Sequence, residues 1–374
     1  MSFQRKLESN FHLKKGMFMT KKKMTRIERL ESAFTLKEVD KTPILGGWIA
    51  CPEYMMEIAE ATADEYWADP YGVSIQAYDR LDTDGLIGIF VPRNREDFRC
   101  IDHNSYIHAD FGLALEDAVA RIDAMPSLEE IEAKFDLETA YQNFRKSMLD
   151  MQARCGDMLW LPAQWGAGAK VSWYGDFGYE NFFVIVGLYP ERAQKLMEVG
   201  GANGRCMCRV IARAVQEGIY PHAVLLGEDI CSQRGPMISM KFLEKYYAPQ
   251  LKYGLEPLLE VGCRPVWHCD GDVRPMLDFL IDSGVQGLQG FQPECGMIID
   301  ELVEKRTKDG EPLVIFGPLA VTTELPKCTP EEITQKVHHA IEVCKGKASL
   351  IMFTGNTINP DVPLENIRAM YQAL

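Results

Sequence analysis

An apolar run closes as Val266-Trp267-His268-Cys269-Asp270-Gly271-Asp272. On an extended chain, residues two apart share a face, so His268 and Asp270 project together. Cys269 then points away, unless the strand has already broken before Gly271. An imidazole and a carboxylate so placed can bind a divalent metal, or the carboxylate can orient the imidazole as an acid–base group. A second run closes as Leu225-Leu226-Gly227-Glu228-Asp229. Alternation puts Glu228 with Val224 and Leu226, and Asp229 with Leu225 and Gly227, so one of the two is expected to reach a site. A third run closes as Phe291-Gln292-Pro293-Glu294-Cys295-Gly296, where the thiol could complete a metal shell or be an inert loop cysteine. A fourth closes as Thr354-Gly355-Asn356, with an amide able to hydrogen-bond a substrate or a ligand residue. Trp160, Trp165, Trp173 and Tyr174 either wall an aromatic pocket or pack the core. Cys206 and Cys208 fall inside a helical pattern and read as core, and His338-His339 reads as a solvated or capping pair.

The elements that must position these residues follow from periodicity. Short apolar runs at 43–48, 85–91, 158–162, 222–228, 264–270, 285–291, 312–317 and 349–354 are spaced as strands. Segments with apolar spacing near 3.6 residues lie between the later ones, at 190–217, 239–261, 273–284, 297–309 and 329–344. Strands separated by helices imply a parallel sheet, and eight of them imply closure into a (β/α)8 barrel. A doubly wound sheet is the alternative if fewer strands form. In a barrel the active site lies at the C-terminal strand ends, where His268, Asp270, Glu228 and Asp229 stand. An amphipathic helix from Thr25, with Glu28 completing a capping box, forms an N-terminal extension. The lysine-rich stretch 1–23 is expected to be a flexible leader, with a transit peptide as the lesser alternative, and 24–374 to be one barrel domain. Neither GxGxxG after an early strand nor GxxxxGK[ST] is present, so no nucleotide cofactor is indicated.

Composition narrows the function. The 374 residues carry 54 acidic and 40 basic side chains, a net charge of −14, which disfavours nucleic acid and anionic membranes as partners. Eleven cysteines without a CxxC pair, and no secretory signal, fit reduced thiols in the cytoplasm. No run approaches the roughly 18 apolar residues that a membrane span needs.

The block Gly227-Glu-Asp-Ile-Cys-Ser-Gln-Arg-Gly-Pro-Met-Ile-Ser239, with Phe242, Tyr246 and Pro249 after it, resembles the uroporphyrinogen decarboxylase-like superfamily. So do Thr25-Arg-Ile-Glu-Arg-Leu30, His268–Asp272, Gln292–Met297 and the stretch from Asn356 to Met370. The resemblance covers about residues 24–374 and implies a TIM barrel. Decarboxylases of the family carry an arginine-rich segment, RQAGRY, after the first strand. Here that stretch is Gly46-Gly-Trp-Ile-Ala-Cys-Pro-Glu-Tyr54, without arginine. The chain is more similar to the corrinoid-dependent methyltransferases of the superfamily. Those acting on coenzyme M show His-x-Cys on the fifth strand and a Cys on the last, where this chain has Asp270 and Asn356. The pattern looks closer to the first methyltransferases of anaerobic O-demethylases. That implies methyl transfer from a small methylated molecule, a phenyl methyl ether, to a Co(I) corrinoid on a partner protein, with zinc as Lewis acid. His268, Asp270 and Glu228 are assigned to catalysis and metal, with Cys295 as a fourth ligand. Asp229, Trp173, Tyr174, Asn356 and Gln292 are assigned to the substrate. The alternatives are a uroporphyrinogen-type decarboxylase, a coenzyme M-type methyltransferase, or a non-catalytic corrinoid- or porphyrin-binding protein. Self-association as a homodimer is left open.

Overall fold

Each of the eight apolar runs forms a strand in the computed structural model, which describes residues 23–92 and 112–374. The leader expected at 1–23 therefore lies outside the described residues, apart from Lys23. The strands are β1 (Leu45–Gly46), β2 (Gly85–Leu86), β3 (Leu159–Trp160), β4 (Ala223–Gly227), β5 (Arg264–His268), β6 (Gly287–Gln289), β7 (Val314–Leu319) and β8 (Ser349–Thr354). β1, β2 and β3 pair in parallel in that order, and β4 to β8 form a second parallel set in chain order. The sets join at two seams into a closed ring. A parallel bridge links Ile44 to Met352, and the Gln164 amide donates to the Leu225 carbonyl at 2.7 Å. The result is the barrel the strand count implies.

Strands buried on both faces explain why the runs read as continuously apolar rather than alternating. Every residue of β4 and β7 is buried, and Trp267, Phe316 and Phe353 are among the largest side chains fully inside. The helices Pro190–Gln216 and Pro330–Cys344 match their expected spans within a residue or so. The expected helix 239–261 is divided, with a π-helical turn at Leu243–Tyr247 between two α-helical pieces. The helix expected at 297–309 is reduced to Ile299–Leu302, because the chain turns back through Gly310 and pairs Arg306 with Pro312. Helices within 52–80 and 115–155, unread from periodicity, fill the first two crossovers.

The base of the barrel is closed by the helix Arg26–Phe34, whose Thr25–Glu28 capping box forms as expected. Its Leu30 and Phe34 are fully buried. Its Arg29 donates to Asp40 at 2.6 Å and to Asp84, and Asp84 also accepts the Ile44 amide at 2.9 Å. Burial raises the Asp84 carboxyl, while the Arg29 guanidinium holds Asp40 well below the usual carboxylate range. No helix among the described residues is long and apolar enough to cross a membrane.

Candidate active site

The C-terminal ends of β1 to β5 and β8 surround a cleft of about 730 Å3. Its walls are aromatic and apolar, including Trp48, Phe90, Trp160, Trp165 and Tyr174. Its floor is polar, with Glu228, Asp229, His268, Asp270 and Asn356. No lysine or arginine lines it among the described residues.

His268 ends β5 and is only 6% exposed. Two glycines let the neighbouring strands close around it. Gly227 has φ +141°, and a Cβ there would stand 2.1 Å from the His268 carbonyl oxygen. Gly290 has φ +96°, and a Cβ there would stand 2.9 Å from His268 Nδ1. Only glycine meets both demands, of backbone and of space.

Asp229, His268 and Asp270 offer ligand atoms that all lie within 4.8 Å of one another. His268 Nε2 is 3.5 Å from Asp229 Oδ1. That same oxygen accepts the Asp270 amide at 3.0 Å, which ties the end of β4 to the end of β5. Asn356, from the end of β8, donates to Asp270 Oδ2 at 2.6 Å, and its own carbonyl oxygen accepts the Thr357 amide at 2.6 Å.

A buried amide sets the tautomer of the histidine. Gln289 Nε2 donates to the carbonyl oxygens of Thr354 at 2.8 Å and Gly355 at 2.9 Å, which uses both of its hydrogens. Its Oε1 therefore faces His268 Nδ1 as an acceptor. Nδ1 then carries a proton, and Nε2 is the ring nitrogen turned to the two carboxylates. An outer partner that orients an imidazole in this way is the usual companion of a metal-binding histidine. Two carboxylates and one imidazole, with solvent on the fourth side, suit a divalent ion of borderline or hard character and leave a position open.

His268 and Asp270 both face the cleft, and Cys269 points away from it as expected, where its Sγ accepts the Ile230 amide at 3.5 Å. Burial pushes that thiol up. The assignment of Glu228 over Asp229 is corrected. Alternation ends with Gly227, so both carboxylates face the cleft and it is Asp229 that reaches His268. Glu228 instead accepts from the Ser172 hydroxyl and, at 3.3 Å, from the Ser172 amide. Burial pushes its carboxyl up to about 7.

Cys295 is also corrected as a ligand. It lies on a 3-10 turn behind the rim, 3.7 Å from Gln292 Oε1, outside the three-residue group. Gln292 holds the backbone, accepting the Gly271 amide at 2.5 Å, rather than lining the cleft. Trp173 is buried against Phe177 and Lys170 behind the cleft, whereas Tyr174 lines it and donates to the Asp229 carbonyl at 2.7 Å. Asn356 acts on Asp270. Gln289, Trp48 and Ser172 went unread in the sequence. A glutamine inside the apolar run 285–291 was the one available signal for the first.

A family model described as uroporphyrinogen decarboxylase (URO-D) matches residues 174–374, more than half of the chain. Among solved structures, a methyltransferase from Methanosarcina mazei superposes with a TM-score of 0.60 at 16% sequence identity, covering 94% of this chain and 98% of that one. At that identity the likeness is one of fold. No curated protein matches the sequence.

Proposed function

The chain belongs to the uroporphyrinogen decarboxylase family, and we propose that within it this protein moves a methyl group from a phenyl methyl ether to a Co(I) corrinoid on a separate protein. One observation carries the reading: Asp229, His268 and Asp270 converge within 4.8 Å at the floor of an aromatic cleft. A decarboxylase acting on a polycarboxylated tetrapyrrole needs cations to hold its substrate. The described walls offer none, and the stretch Gly46–Tyr54, which matches the arginine-rich segment of the family's decarboxylases, contains no arginine. A thiol-activating site of coenzyme M type needs soft thiolates, and neither Cys269 nor Cys295 reaches the group.

In the transfer, the O–CH3 bond breaks and a Co–CH3 bond forms with the cobalt electron pair. The oxygen keeps its bonding pair and takes up a proton. Phenolate is a poor leaving group, so the charge growing on that oxygen must be stabilised. A divalent metal, zinc in this reading, held by Asp229, His268 and Asp270 would supply a Lewis acid for that purpose. The chain's own residues do the rest. Gln289 holds Nδ1 and turns Nε2 to the carboxylates, Asn356 and the Asp229–Asp270 contact fix the carboxylates, and the aromatic walls exclude water from the ether. Glu228, held by Ser172, keeps a carboxyl at the cleft floor that can serve the departing oxygen with a proton.

The test supplies purified protein with cob(I)alamin and a panel of methoxybenzenes, methylamines and methanol, and follows methylcobalamin by absorbance. Methyl–cobalt from methoxybenzenes is the expected result. Release of CO2 from a porphyrinogen, with no methyl–cobalt from any donor, would replace this reading with the decarboxylase one.

A further inference from the structure

Trp165 is the most exposed aromatic residue lining the cleft among the described residues. It stands in the turn 164–167 after β3, which is closed by the Ala167 amide donating to Gln164 at 2.9 Å. The Gln164 amide tethers that turn to β4. The indole is nonetheless 47% exposed, a large apolar surface held out in water on a fixed backbone. Its inner side meets two rings, His268 with centroids 5.4 Å apart at 60°, and Trp48 at 6.1 Å and 33°.

Trp48 is itself unusual. It is buried, yet its backbone has φ +62°, a left-handed conformation that a bulky side chain adopts only under constraint. Its ring stands edge-on to His268 at 5.9 Å and to Phe353 at 5.0 Å. One indole on strained backbone thus buttresses a second, exposed one, and both flank the imidazole of the three-residue group.

We infer that the exposed face of Trp165, braced by Trp48, is a stacking shelf that seats a planar, uncharged aromatic ring beside His268 and selects aryl over alkyl methyl donors. This rests on the methyl-transfer reading and names the residue that sets its donor class. The two indoles are too close to admit a ring between them, so the ligand lies on Trp165, with its ether oxygen turned toward the floor. A rigid indole is suited to this, because stacking on it costs little conformational freedom and tolerates varied ring substituents. A quaternary ammonium is the other ligand that aromatic walls attract. It is disfavoured here because Asp229 turns Oδ1 to His268 and the Asp270 amide, and Asp270 turns Oδ2 to Asn356, rather than around the shelf.

Calorimetry of catechol, cyclohexanol and tetramethylammonium binding to wild type, Trp165→Ala and Trp165→Phe tests the shelf, with metal content and melting temperature measured alongside. Catechol is expected to bind wild type, to lose about tenfold or more in affinity in W165A, and to return to within about threefold in W165F, at unchanged metal content. The KM for 2-methoxyphenol should rise in parallel. Equal catechol affinity in W165A, equal binding of cyclohexanol and catechol by wild type, or tight tetramethylammonium binding that W165A removes would each overturn the inference. If catechol behaves as expected while no aryl ether yields methyl–cobalt, the shelf stands and the methyl-transfer reading falls.

Discussion

The two ends of the barrel handle charge in opposite ways. At the base, Arg29 is nearly inaccessible and lies between Asp40 and Asp84, and the Met24, Lys41 and Ile44 amides donate to the same two carboxylates. At the mouth, Glu228, Asp229 and Asp270 share one cleft with no lysine or arginine lining it among the described residues. The base is arranged to be satisfied as it stands. The mouth gathers acceptors toward a point that a cation would fill. Stability and function are thus assigned to different faces, and substitutions at the two ends should separate them.

The largest expected effect is at the mouth. His268→Ala should lower methyl transfer by about 10³-fold or more, the loss of several kcal/mol of transition-state stabilisation. Its melting temperature should stay near that of wild type. Unaltered turnover would break the contrast from one side. Arg29→Met tests the other side. It leaves Asp84 buried without its cation, so denaturant unfolding should show a loss of about 3–5 kcal/mol, while turnover per folded molecule is kept. A stable but inactive Arg29→Met protein would mean that the two faces are coupled.

Smaller changes sharpen the same contrast. Gln289→Leu removes the acceptor on His268 Nδ1, so metal affinity should fall about 10- to 100-fold by equilibrium dialysis. Unchanged affinity would mean that the tautomer is set elsewhere. Acid unfolding should report on the base. Because Arg29 depresses the folded carboxyl of Asp40, the pair's stabilisation is present above the ordinary carboxylate range and is lost as pH falls through and below it. Asp40→Asn should therefore be less stable than wild type at pH 7, and the gap should narrow toward pH 2. A gap independent of pH would argue that Asp40 acts only through shape.

The barrel was legible because its strands are buried on both faces and announce themselves as apolar runs between helical ones. Ser349–Thr354 was read to the residue. His268 and Asp270 share the cleft as their spacing suggested, although Asp270 lies two residues past the end of β5, where alternation alone does not fix its direction. Reading failed where the backbone leaves the strand. The positive φ of Gly227 exchanges the roles of Glu228 and Asp229, and no pattern of residue types encodes that. Cys295 looked like a ligand by chemistry alone, and its distance from the group depends on how a loop folds. Gln289 and Trp48 escaped because their importance lies in what they touch across the barrel, 21 residues away in the case of Gln289 and His268.

The most direct test is a metal titration of the chelator-stripped protein, with zinc bound per chain and methylcobalamin formed from 2-methoxyphenol read in the same samples. Turnover rising in step with bound metal to about one ion per chain, and absent from Asp229→Asn protein that no longer binds it, is the expected result. Full turnover by the stripped protein would contradict it.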